Sequence, residues 1–151
     1  MKLYCVPDDA NCPTPVDFDR VQQVIEYLGT RMDRLDDNTA VAHFDGIAFF
    51  ISFTSAGRFL SVRTVWNSQT PASDRALSIL FSSADTWNRE RYFPTIYTTI
   101  EEGLIVITID YITDVDNGFN DDQLLDNISA AVATGAEALG YMQSVVQVAG
   151  Q

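Results

Sequence analysis

The chain has 151 residues and a formal net charge of −12, one ordinary domain's length with an unusually acidic balance. Nucleic-acid backbones and anionic membrane surfaces would be repelled and a cationic or amphipathic partner attracted, but such a charge speaks to solubility before it speaks to function. A hydrophobic fraction of 46% supplies ample core material and argues against a disordered chain.

Residues 1–15 carry Pro7, Pro13 and Pro15 among Asp and Asn, which predicts an irregular lead-in before a single domain over 16–149. Met1 to Pro7 holds no long apolar run of the secretory kind. The run from Ile47 to Phe53 is too short to span a membrane. The expected setting is cytoplasmic. Cys5 and Cys12 could form a local disulfide or hold a reactive thiol, but that compartment's prior favours two free thiols. Two Cys and one His cannot close a zinc site within one chain.

A first helix is expected from Asp17 to Gly29. Val21, Val24, Ile25 and Leu28 share one face, and Gly29 fits a left-handed C-terminal position. Asp36-Asp37-Asn38 is a turn. Thr39 to Phe44 and Ile47 to Phe53 form a hairpin around Asp45-Gly46, a pair that tolerates positive φ. Phe49 and Ile51 take one face of the second strand and Phe50 the other. A third strand runs from Phe59 to Trp66, with Leu60, Val62 and Trp66 opposite Ser61 and Arg63.

Thr70-Pro71 predicts the start of a second helix, Thr as N-cap and Pro at the first helical position. Its apolar stripe is Leu77, Leu80, Phe81, Ala84 and Trp87, and Pro94 lies beyond its end. Two strands follow, Thr95 to Glu101 and Leu104 to Thr113, around Glu102-Gly103. Ile105, Ile107, Ile109 and Tyr111 line one face of the second, and Thr108 and Asp110 the other.

Asn120 and Gln123 have capping-box spacing ahead of a third helix that reaches about Val148. Its stripe is Leu125, Ile128, Val132, Gly135, Leu139, Met142 and Val146. At 1.5 Å per residue the helix is roughly 40 Å long, more than twice the radius of so small a domain. It is therefore expected to project, bend or break, with Gly135 and Gly140 as the weak points. The same stripe could form a homodimer seam, although such a stripe more often covers the domain's own sheet. The order α-β-β-β-α-β-β-α predicts a two-layer α+β fold with an antiparallel five-stranded sheet.

The segment TWNRERYFPTIY, the glycine hairpin with LIVITIDYI, the acidic loop and NDDQLLDNISAAV together resemble the YbjN family. Trp87-Asn88, Arg91, the aromatic residues after it and Asp110 carry the resemblance. It implies a fold like that of type III secretion chaperones and a non-enzymatic regulator or chaperone-like binder. It implies no cofactor and no catalytic residue. The partner would be a protein or extended peptide.

Individual residues supply no competing chemistry. His43 lies on a strand with no nucleophile or orienting carboxylate assigned to it. The loop Asp114 to Gly118 lacks the oxygen ligands of a calcium-binding loop at its third and twelfth positions. Phosphate-cradling glycine motifs and the G-x-S-x-G nucleophile turn are absent. Arg91 and Asp110 are expected to pair where the second helix enters the hairpin. Phe50, Trp66, Trp87 and Tyr92 are the expected protein-binding residues, since aromatic side chains dominate interface hot spots. Asn88, Arg91 and Asp110 are expected to be structural. The alternative reading is a small-molecule binder or enzyme with an unrecognised pocket.

Overall fold

The computed structural model describes residues 11–150. Most of the expected lead-in, with Cys5, lies outside the described residues. Cys12 is disulfide-bonded, which overturns the free-thiol expectation for this residue. That expectation rested on compartment and contained no geometry.

Helix α1 spans Phe18–Tyr27, and Asp17 caps it by accepting from the Arg20 N–H at 2.9 Å. It closes on Gly29, at φ +97°. The Gly29 N–H reaches Glu26 O and the Thr30 N–H reaches Ile25 O, the paired bonds that satisfy the last carbonyls of a helix. Val21 and Ile25 are its buried face.

Among the described residues six strands form the sheet, in the order β1-β2-β3-β4-β6-β5, one more than expected. The additional strand is β1, Met32–Arg34. It pairs antiparallel with β2, Thr39–Phe44. Only Met32 of its three residues is buried, so no alternation can develop. β2 and β3, Ile47–Thr54, form the expected hairpin, Phe44 opposite Ile47. Asp45 and Gly46 both have positive φ. Phe49 and Ile51 are buried, and Phe50 is exposed on the reverse face.

β4 runs over Phe59–Pro71 and α2 over Asp74–Glu90, with Ser73 as N-cap. The predicted helix start at Thr70-Pro71 is therefore wrong. Proline suits the end of a strand as well as a first helical turn. The Ala72 N–H donates to Gly103 O at 2.9 Å, which keeps this segment extended. The buried stripe of α2 is Ala76, Leu80, Ala84 and Trp87. Phe81 is exposed, a correction that follows from this small rotation of the helix.

β5, Thr95–Glu101, and β6, Leu104–Asp114, pair antiparallel around Glu102 and Gly103, both at positive φ. Every residue of β6 from Ile105 to Tyr111 is buried, so the strand has a covered environment on both faces. Helix α3 runs unbroken over Asp121–Ala149, through both glycines expected to weaken it. The Asn120 N–H donates to Gln123 Oε1, and the Gln123 N–H donates to Asn120 Oδ1, each at 2.8 Å. The predicted capping box is formed. Its buried residues are Leu124, Ile128, Ala131, Gly135, Ala138, Leu139, Met142 and Ala149; Ile128, Gly135, Leu139 and Met142 are as expected, while Leu124 and Ala131 take the places expected of Leu125 and Val132.

The described chain divides into two compact units. The first takes in the chain up to Val62 and Ile112–Val132, and the second takes in Arg63–Tyr111 and the chain from Ala133. In the first, the Phe18 ring meets Phe53 edge-on at 4.9 Å, bringing α1 onto β3. In the second, Tyr141 Oη donates to Ser83 O at 3.0 Å, joining α3 to α2.

Candidate functional site

The second unit contains most of the residues singled out in the sequence. Trp87 is only 5% exposed. Its Nε1–H donates to Pro94 O at 2.9 Å, and its ring lies 5.5 Å from that of Tyr141. The Arg91 guanidinium sits 4.5 Å over the Trp87 ring and pairs with Glu137 at 3.0 Å. Trp87 is thus packed into the helix pair and offers little surface to a partner. Trp66 is half-buried on β4. Tyr92, in contrast, is fully exposed. Phe50 belongs to the first unit, where it stands opposite Val41.

Asp110 and Arg91 do not pair. Arg63 donates to Asp110 Oδ2 from Nε at 3.2 Å and from Nη2 at 2.6 Å. The carboxylate side chain is 4% exposed and the guanidinium 43%. The hydrogen bond to Asp110 raises the Arg63 pKa above its usual range against the opposing effect of burial. The expectation failed because β6 lies beside β4 in the sheet, a neighbour that is distant in sequence. An arginine on the polar face of β4 was the available signal for this cross-strand partner.

Asn88 takes a position that the sequence did not reveal. Its Nδ2–H donates to Ile96 O at 2.7 Å, and its Oδ1 accepts from the Ile96 N–H at 2.8 Å. The amide side chain therefore fills the place of a neighbouring strand at the start of β5. Beyond it stand exposed apolar groups that were not singled out: Phe93, Tyr97 and Ile100. Phe93 rests edge-on against Tyr111 at 5.1 Å. With Tyr92 they leave exposed aromatic and apolar side chains at the end of α2 and on both faces of the edge strand β5. Such side chains can supply contact area at low cost in rotamer entropy.

In the first unit a cleft of about 190 Å³ lies between α1 and the start of α3. Val24, Tyr27, Leu124 and Leu125 line it, with Asp121 and Asp122 among its polar walls. Arg20, also on the wall, is held by Thr14 O, Pro15 O, Phe119 O and Asp121 at 2.8–3.0 Å. Its guanidinium ties backbone segments together. The cleft is smaller than the roughly 300–1,000 Å³ usual for small-molecule sites.

Reactive groups are not gathered elsewhere in what can be described. His43 is exposed on β2, opposite Ala48. Asp114 accepts from the Asp116 N–H and from Arg58, which together hold its pKa below the ordinary carboxylate value. Among the described residues no three His, Cys, Asp or Glu side chains are placed to hold a metal ion. No helix among them is long and apolar enough to cross a membrane.

The YbjN family model, described as "Putative bacterial sensory transduction regulator", matches residues 17–144. Among solved structures, the chain is similar to YbjN from E. coli, with a TM-score of 0.62 and 13% identity over 91% of this chain and 94% of that one. It is also similar to an uncharacterized protein from Methanothermobacter thermautotrophicus, with a TM-score of 0.54 and 14% identity over 83% and 96% of the two chains. The HopA1–SchA chaperone–effector complex matches with a TM-score of 0.49 and 14% identity, over 82% and 97%. No curated protein matches the sequence.

Proposed function

The chain belongs to the YbjN family, and from that premise we propose that it is a non-catalytic protein-binding regulator of chaperone-like character. Residues 16–149 act as its single domain, in a cytoplasmic setting. The partner is a protein or an extended peptide. One observation carries this reading: the second unit presents Tyr92 and Phe93 to solvent where α2 gives way to β5, and Tyr97 and Ile100 farther along the strand on its two faces. Aromatic side chains left exposed in this way can anchor a partner at low cost in rotamer entropy.

A net charge of −12 supports regulation through protein contacts. An acidic surface pays an electrostatic penalty against a phosphate backbone, and affinity for nucleic acid comes chiefly from neutralising that backbone. The family description speaks of regulation and specifies no reaction.

The test is capture from a native lysate by wild-type protein and by the Tyr92→Ala/Tyr97→Ala double variant, with bound material identified by mass spectrometry. Specific protein partners are expected with the wild type and at least tenfold less of them with the variant, at equal melting temperature. A tenfold loss corresponds to about 1.4 kcal/mol, within reach of two interface tyrosines. Equal recovery by both proteins would remove this surface from the reading. A retained metabolite in place of protein would favour a small-molecule binder.

A further inference from the structure

Strand β5 ends the sheet, and its register determines which backbone groups point outward. Glu101 and Leu104 flank the two-residue turn, so the hydrogen-bonded pairs with β6 are Glu101–Leu104, Thr99–Val106, Tyr97–Thr108 and Thr95–Asp110. The N–H and C=O of Ile96, Thr98 and Ile100 therefore face away from β6. Asn88 takes both groups of Ile96. Among the described residues, no hydrogen bond is made by the outward backbone groups of Thr98 or Ile100. The Thr98 hydroxyl beside them is buried and also without a partner.

Soluble proteins protect sheet edges by keeping them short or by placing lysine, proline or a bulge on them. β1, the other terminal strand, is three residues long and includes Asp33 and Arg34. β5 has seven residues, reading TIYTTIE, with neither lysine nor proline. Asn88 guards only its first outward position.

We propose that the Thr98–Ile100 edge of β5 accepts an extended, basic–apolar segment of a partner protein as an added strand, and that Asn88 sets where this strand ends. The proposal rests on the protein-binding reading above and specifies its mode and its partner's chemistry. Main-chain bonds at Thr98 and Ile100 would hold the segment, while side chains on one of its faces would meet Tyr97 and those on the other Ile100. Its charge follows from the rim. Glu90, Glu101 and Glu102 are exposed there. Arg89 is engaged by Asp85 and Arg91 by Glu137. A second copy of this chain is the poorer occupant, because pairing would bring together two molecules of charge −12 each.

The test uses the purified full chain with a capped peptide of alternating lysine and valine, and an alternating glutamate and valine peptide as control. Amide hydrogen exchange should slow at Thr98 and Ile100 with the lysine peptide alone. Thr98→Pro removes one outward N–H and no bond to β6, so the sheet is retained, and affinity should fall at least about tenfold. Exchange at those amides in the unmodified protein provides a readout that does not depend on the variant. Equal binding of both peptides, unchanged exchange at Thr98 and Ile100, or wild-type affinity in Thr98→Pro would each overturn strand addition. So would dimerisation of the free protein through this edge. Failure here with continued capture of partners by the Tyr92 surface would leave the protein-binding reading standing; loss of both would end it.

Discussion

Asp110 and Arg63 are unequally buried, and this asymmetry decides how each responds to substitution. Removing Asp110 leaves a guanidinium that is already part-exposed and can turn to water. Removing Arg63 takes its two hydrogen bonds away from a carboxylate with 4% exposure. Arg63→Ala should therefore destabilise by on the order of 3 kcal/mol, and Asp110→Ala by less. Urea denaturation of both variants measures the difference, and the reverse order would contradict this account of the pair. Tyr111 makes a separate prediction. Burial raises its pKa above the ordinary 10.0, so the folded state favours the protonated phenol. The associated stability is fully present below pH 10 and is lost as pH rises through the folded-state value. Above pH 10 the wild-type melting temperature should decline more steeply than that of Tyr111→Phe. Parallel alkaline limbs would show that the phenol contributes nothing to the decline.

Elements with a local cause were legible in the sequence. The Asp45-Gly46 turn needs two positive φ angles, and the α3 capping box needs an acceptor three residues from its partner; both signals are contained in a few adjacent residues. β1 left no such trace, because a strand of three residues with one buried side chain acquires its identity from β2. The turn from β4 to α2 was misplaced because Pro71 serves either element, and a bond from Ala72 to the distant Gly103 decides between them. Tyr92 is exposed and Trp87 buried, a difference the sequence did not hold, since composition cannot say which tryptophan Tyr141 will cover. The Arg63–Asp110 pair and the Asn88 bracket depend on which strands adjoin, and that lies beyond any short window. Gly140 offers a test at this scale. It lies inside α3, a Cβ placed on it meets nothing within 4 Å, and its φ is not in the left-handed region. Gly140→Ala should raise stability by about 0.5–1 kcal/mol through the unfolded chain's lost freedom and better helix propensity. A lower denaturation midpoint would mean that this position requires glycine for a reason other than helix geometry.

Charge acts on the molecule as a whole. Nine cationic side chains cannot neutralise 21 carboxylates, so folding concentrates negative charge into a smaller volume and self-repulsion opposes it. Ion pairs such as Arg89–Asp85 and Arg31–Asp33 are exposed, and pairs of that kind contribute about 0–1 kcal/mol each. Salt weakens both effects. The repulsion involves the many carboxylates in excess, whereas the exposed pairs are few and individually weak, so screening should favour the folded state. Raising sodium chloride from about 0.01 M to about 0.1 M shortens the screening length from about 30 Å to about 10 Å. Across that step the melting temperature should rise by about 2–4 °C, the shift expected for roughly 1 kcal/mol in a chain of this size. The same step should weaken capture of a basic partner, because that attraction runs through the same field. A melting temperature that fell with added salt would mean that the ion pairs outweigh the excess charge, and the acidic surface would then lose its role in selecting a cationic partner.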